Sequence, residues 1–347
     1  MNRIVASLVL PAFLLACGGG SNPFEPAPEP PAEGEGEGEE ETPEEGGIPD
    51  ALANNVTKLV FDPVAQTLTV EGVNFDEVPF TATYTRSAAF DRNGYQAFTA
   101  QNDPLDRHNT AFGKQTNNEA NVRAGVALSG GPRNRFFGGG YYDRDGAYTP
   151  PDVAPDSGLV SYSGSYVGLV NIGFRDDGPT SQDDLLDVPP GTAGELLPSQ
   201  AGITEGKVFV NADFADASVE GNIYDRRLVD PTNGQTAIAP DGRPLLLPSV
   251  VMVSTPISDD GTFEGQMEYD QRHPLITTPV IGTKIGDFGG IFGGTDASGV
   301  AGIVKLDEFD GPNNPYGLES EIEYGVFVLD QCGQPVEDTV GCAGTNP

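Results

Sequence analysis

Few groups in this sequence have the types and spacing to do chemistry. Its 347 residues hold two histidines, His108 and His273, three cysteines and no tryptophan, against 52 aspartates and glutamates. Neither histidine belongs to an HExxH sequence or a zinc-type cluster, and no serine sits in a nucleophile elbow. His108 lies in the polar stretch Asp103 to Asn109 and His273 precedes Pro274. Both read as solvated loop residues, and haem ligation or general-base work would have to be built on one of these two rings. The carboxylates are too numerous for an acid–base pair to stand out. Asp143-Arg-Asp145-Gly146 and Asp307-Glu-Phe-Asp310-Gly311 set oxygen ligands beside a glycine as a calcium loop does, but no bidentate glutamate follows at the EF-hand spacing. Such turns are common in so acidic a chain. No metal, cofactor or enzymatic activity is expected.

Aromatic and cationic residues give a better lead. Phe136-Phe137 and Tyr141-Tyr142 flank Gly138-Gly-Gly140, with Arg133, Arg135 and Arg144 close by in a chain short of cations. Tyrosine and arginine beside flexible glycine suit a binding surface, and Arg133, Arg135, Phe136, Phe137, Tyr141 and Tyr142 are the candidates. The competing reading is a hairpin whose aromatics pack inward while the arginines pair with nearby acids.

The cysteines have an address to report. Met1-Asn2-Arg3 is a basic start, Ile4 to Leu15 is almost wholly apolar, and Leu14-Leu15-Ala16-Cys17 closes the run. That is a secretory signal over residues 1–16, too short to span a bilayer as a helix. Its ending resembles the lipobox of bacterial lipoproteins, which implies that Cys17 is lipidated and becomes the mature amino terminus. Acyl chains at about 0.8 kcal/mol per buried CH₂ would make the anchor stable. Gly18 stands where an inner-membrane retention signal has Asp, so the outer membrane is the expected destination, on a face the sequence does not specify. With Cys17 taken, Cys332 and Cys342 remain as a pair in a compartment where disulfides persist. Closing so short a loop contributes about 2.8 kcal/mol on the chain-entropy formula.

Charge narrows the partners. Eighteen lysines and arginines against 52 acids give a formal net charge of −34, which argues against nucleic acid and against adhesion to anionic lipid. Residues 17–47 form an acidic linker: Gly18 to Gly47 carries ten glutamates, with Phe24 its only large apolar side chain. Nothing there buries enough surface to offset chain entropy, so a disordered spacer is expected.

The elements that must position everything else are strands. Val56 to Phe61 and Gln66 to Val70 flank turn chemistry at Asp62-Pro63-Val64-Ala65. Further candidates are Phe80 to Tyr84, Tyr95 to Thr99, Val122 to Leu128 and Phe136 to Tyr142, with Ala100 to Glu119 the longest polar loop. Together residues 48–157 read as an irregular β-rich subdomain ending at the proline-rich stretch Thr149 to Pro155. From Leu159 the signals become regular. Leu159 to Phe174 is a long strand whose Tyr162, Gly164, Tyr166 and Gly168 share one face. A polar loop, Arg175 to Gly202, precedes the hairpin Gly206 to Phe214 and Ser218 to Tyr224. Ser249 to Ser254 pairs with Thr262 to Tyr269, Asp287 to Gly293 with Gly299 to Leu306, and Glu319 to Leu329 comes last. Eight such strands are the number that closes a small up-and-down barrel filled by its own side chains. Closure also removes exposed edges.

Gly290-Ile-Phe-Gly-Gly-Thr-Asp-Ala-Ser-Gly-Val-Ala-Gly302 resembles the strand-turn-strand signature of the C-terminal barrel in transferrin-binding protein B-like lipoproteins, with Gly290, Phe292, Gly294, Ala297 and Gly302 on its pattern. The opening Tyr162-x-Gly-x-Tyr-x-Gly168 and the pair around Ala212-Asp-Phe214 and Val219 to Ile223 are similar to the same barrel. The resemblance covers roughly Leu159 to Leu329 and implies an all-β fold: an eight-stranded antiparallel barrel (158–347) preceded by a handle-like subdomain, with one lobe where the transferrin receptors have two. It implies a non-catalytic, lipid-anchored binding protein for a protein or nutrient-carrier partner. Two alternatives stand beside it, a small-ligand carrier using the barrel interior, as lipocalins or haem carriers do, and an envelope enzyme.

Overall fold

Alternating apolar residues and tight acidic turns fold this chain into two consecutive antiparallel sheets. The computed structural model describes residues 47–74, 78–131, 135–153, 158–272, 276, 282–308, 310–311, 314, 316–318, 320–334 and 341–343, all within one unit from Glu44 to Pro347. A single helical turn, α1 (Asp50–Ala53), leads into the first sheet. Its strands are β1 (Val56–Asp62), β2 (Thr67–Val73), β3 (Pro79–Arg86), β4 (Gln96–Ala100), β5 (His108–Gln115), β6 (Val122–Gly130) and β7 (Gly138–Arg144), paired in chain order. The first hairpin turns where the Asp62 carboxylate accepts the Val64 and Ala65 amides at 2.8 and 2.9 Å. No ladder joins β7 to β1, but the Asn55 amide and the Asn54 side chain both donate to Gly138 O, at 3.1 and 2.7 Å. The sheet thus curls almost shut around Val56, Leu59, Val70, Tyr84 and Phe98.

This half is more regular than its sequence suggests. β5 lies inside the stretch expected to be a polar loop. Only Ala111 and Phe112 in it are large or apolar enough to signal a strand, yet β4 and β6 pair with it on both sides. Ladder partners override local propensity there.

The second sheet comprises β8 (Leu159–Phe174), β9 (Gln200–Asp213), β10 (Ser218–Asp230), the two-residue β11 (Gln235–Thr236), β12 (Val250–Pro256), β13 (Thr262–Tyr269), β14 (Lys284–Gly293), β15 (Gly299–Asp307) and β16 (Ile322–Asp330). β16 pairs with β8, and β9 bridges β8 and β10, so eight strands close a barrel to which β11 is a small addition. β9 and β10 run longer than their hairpin signals, because Gln200 to Glu205 pair with the far end of β8 and Ile203 to Glu205 also pair with Val229 to Arg227 of β10.

The barrel fills its own interior. Gly290 stands opposite Phe263, Gly265 opposite Phe288, and Gly302 opposite Phe327. A Cβ on Gly302 would lie 2.3 Å from the Phe327 ring. Each ring therefore lies across the glycine of the neighbouring strand, the pairing that supports a curved wall. Phe292 completes the cluster, its ring centroid 5.1 Å from Phe263, 5.3 Å from Phe214 and 5.6 Å from Tyr162. Among these rings sits one buried ion pair, Arg226 with Glu323. Glu323 also accepts from the Tyr166 and Thr204 hydroxyls at 2.6 and 2.7 Å, and Arg226 donates to Pro248 O at 2.8 Å. Burial of two charges is tolerable only with this degree of satisfaction.

The outer faces of the two sheets form a third core. Tyr95, Phe112, Val122, Val126 and Leu128 of the first pack on Val167, Leu169, Ile203, Ile303, Tyr324 and Val326 of the barrel wall. The Tyr95 hydroxyl donates to Ser165 O at 2.8 Å and accepts from the Val328 amide at 2.9 Å. Each large aliphatic side chain so buried contributes about 1.5–3 kcal/mol.

Candidate binding cleft

At the end where β1 and β7 are not tied together, the curled sheet has an open mouth. The cleft there has a volume of about 400 Å³, within the range of small-ligand and side-chain sites, and is lined by Phe61, Phe98, Lys114, Arg123 and Tyr141 among others. Phe61 comes from the end of β1, where Val60 and Phe61 are consecutive apolar residues and both are exposed. Its ring meets Phe98 edge-on at 5.6 Å, and the Arg86 guanidinium lies 5.6 Å from the Phe98 ring. Arg123 on β6 is paired with its cross-strand neighbour Asp143 on β7. Burial raises the Tyr141 phenol, and Asp143 raises it further while Arg123 opposes, so the hydroxyl stays protonated. Lys114 borders the cleft on β5, but its side chain lies on the barrel side of the sheet, Nζ donating to Val328 O at 2.9 Å and lying 5.0 Å from the Tyr95 ring, and burial lowers its pKa. The arrangement offers an aromatic floor with a hydroxyl and a guanidinium at its rim, suited to an aromatic or aliphatic group carrying a hydrogen-bonding or anionic end.

Of the sequence candidates, Tyr141 lines this cleft and the others are distributed elsewhere. Phe137 is buried in the first sheet's core, edge-on to Phe80 at 4.8 Å. Tyr142 is buried between the sheets and Phe136 is partly buried there. Arg135 is exposed, its carbonyl accepting from the Arg107 guanidinium, and Arg133 lies outside the described residues. Arg144 donates to the carbonyls of Phe292 and Asp260 at 2.6 and 3.0 Å. The glycines between these residues are not a flexible loop but the start of β7: a Cβ on Gly139 would lie 1.9 Å from Ala53 O, and one on Gly140 2.8 Å from Ile303. Phe61, Phe98, Lys114 and Arg123 were not among the sequence candidates; the one signal available was the unbroken apolar run Leu59-Val60-Phe61 at the end of β1.

His108 is not a solvated loop residue. It is fully buried on β5, Nδ1 3.5 Å from the Thr110 hydroxyl and Nε2 3.8 Å from Asp184, which reaches over from the β8–β9 connection. The histidine, and then the Thr99 hydroxyl, hold the Asp184 carboxyl below its ordinary range against the opposing effect of burial. His273 lies outside the described residues. Of the two acidic turns, Asp143 faces Arg123, whereas Asp310 is buried against Glu321 before β16. Burial and the Glu321 charge push the Asp310 carboxyl up to about 7, and the amides of Tyr316 and Leu318 oppose this. Among the described residues no three of His, Cys, Asp and Glu come together as a metal site.

The signature residues are packing elements. Besides Gly290, Phe292 and Gly302, Gly294 turns the β14–β15 hairpin at φ +82°, and buried Ala297 accepts the Tyr162 hydroxyl on its carbonyl at 2.6 Å. Cys332 and Cys342 are joined in a disulfide after β16, Cα atoms 5.4 Å apart. Cys17 lies outside the described residues. No helix among the described residues is long and apolar enough to cross a membrane.

No family model and no curated protein matches the chain. Among solved structures it is similar to a double mutant of transferrin binding protein B from Haemophilus parasuis Hp5, with 12% identity and a TM-score of 0.35 over 79% of this chain and 52% of that one. A single mutant of the same protein gives 14% and 0.32 over 79% and 52%. Isotype 1 transferrin binding protein B from serogroup B Neisseria meningitidis gives 14% and 0.31 over 79% and 51%. The chain spans about half the length of these proteins. Nothing about a ligand or partner passes from them to this chain.

Proposed function

We propose that this chain is a non-catalytic binding protein for a protein or nutrient-carrier partner, held at the bacterial outer membrane by lipid on Cys17. The observation that carries the reading is where apolar surface is left open. The barrel interior, where a lipocalin-like carrier would hold its ligand, is occupied by Tyr162, Tyr166, Phe288, Phe292 and Phe327, each with no exposed surface. A cleft with an aromatic floor opens instead in the first sheet, where Phe61, 40% exposed, stands at its mouth. Exposed aromatic and arginine side chains in a depression are the residues on which protein interfaces concentrate their binding energy. His108, buried in a paired strand, is poorly placed to serve as the general base of an envelope enzyme.

The test is capture of a soluble host protein on the immobilised chain at moderate salt, where the acidic linker is screened. Saturable capture is expected, weakened at least tenfold by Phe61→Asp or Arg123→Gln in chains that remain folded. Capture that ignores both substitutions, or a small molecule that co-purifies one-to-one with the chain, contradicts the proposal.

A further inference from the structure

A second opening in the first sheet has the shape of a missing strand. β3 pairs with β2 along seven rows, from Thr67 opposite Thr85 to Val73 opposite Pro79, but with β4 along only two, Thr85 opposite Thr99 and Arg86 opposite Phe98. Pro79 to Tyr84 thus carry a ladder on one side alone. Backbone alternation identifies the groups left over. The Arg86 amide donates to Gln66 O on the β2 side and the Ser87 amide to Ala97 O on the β4 side. Counting back by twos, Thr81 and Thr83 turn both N–H and C=O to the open side. Beside them runs a groove of about 720 Å³ whose far wall carries Leu105 and Arg107.

The core is incomplete along the same line. Phe80, Ala82 and Ala100 belong to the interior of this sheet yet are only partly buried, whereas Val56, Val70 and Phe98 are at most 1% exposed. Leu105 and Val78, 42% and 53% exposed, stand at this end of the sheet. A bare edge over an uncovered apolar patch is what strand addition completes.

We propose that the β3 edge receives an extended segment of a partner protein as an added strand in the direction of β4, with small aliphatic side chains over Ala82 and Ala100 and a carboxylate facing Arg107. About six residues at 3.3 Å each fill the gap. The chain's own linker is unsuited, because Gly18 to Gly47 has one large apolar residue and no alternation. Arg107 lines the groove beside Asp106, and burial first and the Arg135 charge second lower its pKa, so a partner carboxylate would offset a cation that its surroundings disfavour. The inference rests on the reading of this chain as a protein-binding protein and names one mode of that binding.

Amide hydrogen exchange on the full chain tests it, with a synthetic seven-residue peptide alternating threonine and valine around one aspartate as the probe. At saturation the Thr81 and Thr83 amides are expected to slow at least tenfold. Thr83→Pro, which removes a donor only from the open side, should weaken the peptide at least tenfold, and Arg107→Glu should shift preference to the same peptide with lysine at its centre. The charge exchange keeps the test intact if the proline variant fails to fold. Unchanged amides at millimolar peptide, equal binding to a folded Thr83→Pro chain, or no change of preference with Arg107→Glu overturns the inference. So does protection of Thr81 and Thr83 in the free chain that grows with its concentration, since a second copy would then occupy the edge. If host-protein capture survives Thr83→Pro while Phe61→Asp abolishes it, the strand-addition mode fails and the binding function stands; if the unaltered chain captures nothing, the function itself fails.

Discussion

Asp310 and Glu321 show how burial makes a residue's chemistry differ from its sequence type. Asp310 lies in one of the sequence's calcium-like turns, yet its side chain is buried against a second carboxylate, with its pKa pushed to about 7 by burial and by Glu321. The facing groups are Glu321 and, around neighbouring Tyr269, Glu308 and Arg226, whose charge is engaged by Glu323. Because the folded value lies above the unfolded one of 3.8, the protonated form favours the fold. That stabilisation is full below about pH 4 and is lost as the pH rises through 7. The unfolding midpoint should therefore fall between about pH 4 and 7, and Asp310→Asn should flatten that fall. Superimposable pH profiles for the two chains would show that the pair does not titrate as described. His108 carries the same lesson, a polar residue that a paired strand takes fully out of water.

At the scale of elements, the eight barrel strands were legible because each hairpin announces itself twice, by alternation and by turn residues such as Ser258-Asp-Asp-Gly261. β5 was not legible. Asn109, Gly113, Lys114 and Gln115 break its pattern, and only its neighbours make it a strand. The Gly290 to Gly302 signature was legible as scaffolding, although its physical content is in the partners: rings on adjacent strands that need the glycine's space. Gly302→Ala should cost about 1–3 kcal/mol in urea unfolding, the usual range for overpacking. Phe327→Leu in the same chain should recover part of that loss, because the two positions share one contact. Strict additivity of the two substitutions would mean that the ring does not depend on the glycine. The cleft was barely legible. Tyr141 was named from its neighbours in sequence, while Phe61, Phe98 and Arg123 come from three other strands and meet only once the sheet curls.

Across the whole molecule, the two sheets differ in how their edges are closed and their interiors filled. The barrel closes its edges, fills its lumen and presents a wall to the first sheet. The first sheet keeps what the barrel lacks, an open seam with exposed aromatic surface and an unpaired edge at β3. A lipid at Cys17 and an extended acidic linker would hold that sheet away from the membrane, and the net charge of −34 would favour cationic patches on whatever it meets. Partner binding by the first sheet rather than the barrel interior, as proposed, is most directly tested by hydrogen-exchange mapping of the complex formed with a captured partner protein. Protection is expected in β1 near Val60 and Phe61, and in β6 and β7 near Arg123 and Tyr141, with lumen-lining strands such as β14 unchanged. Protection confined to the barrel strands, with β1 and β7 exchanging as in the free chain, would contradict it.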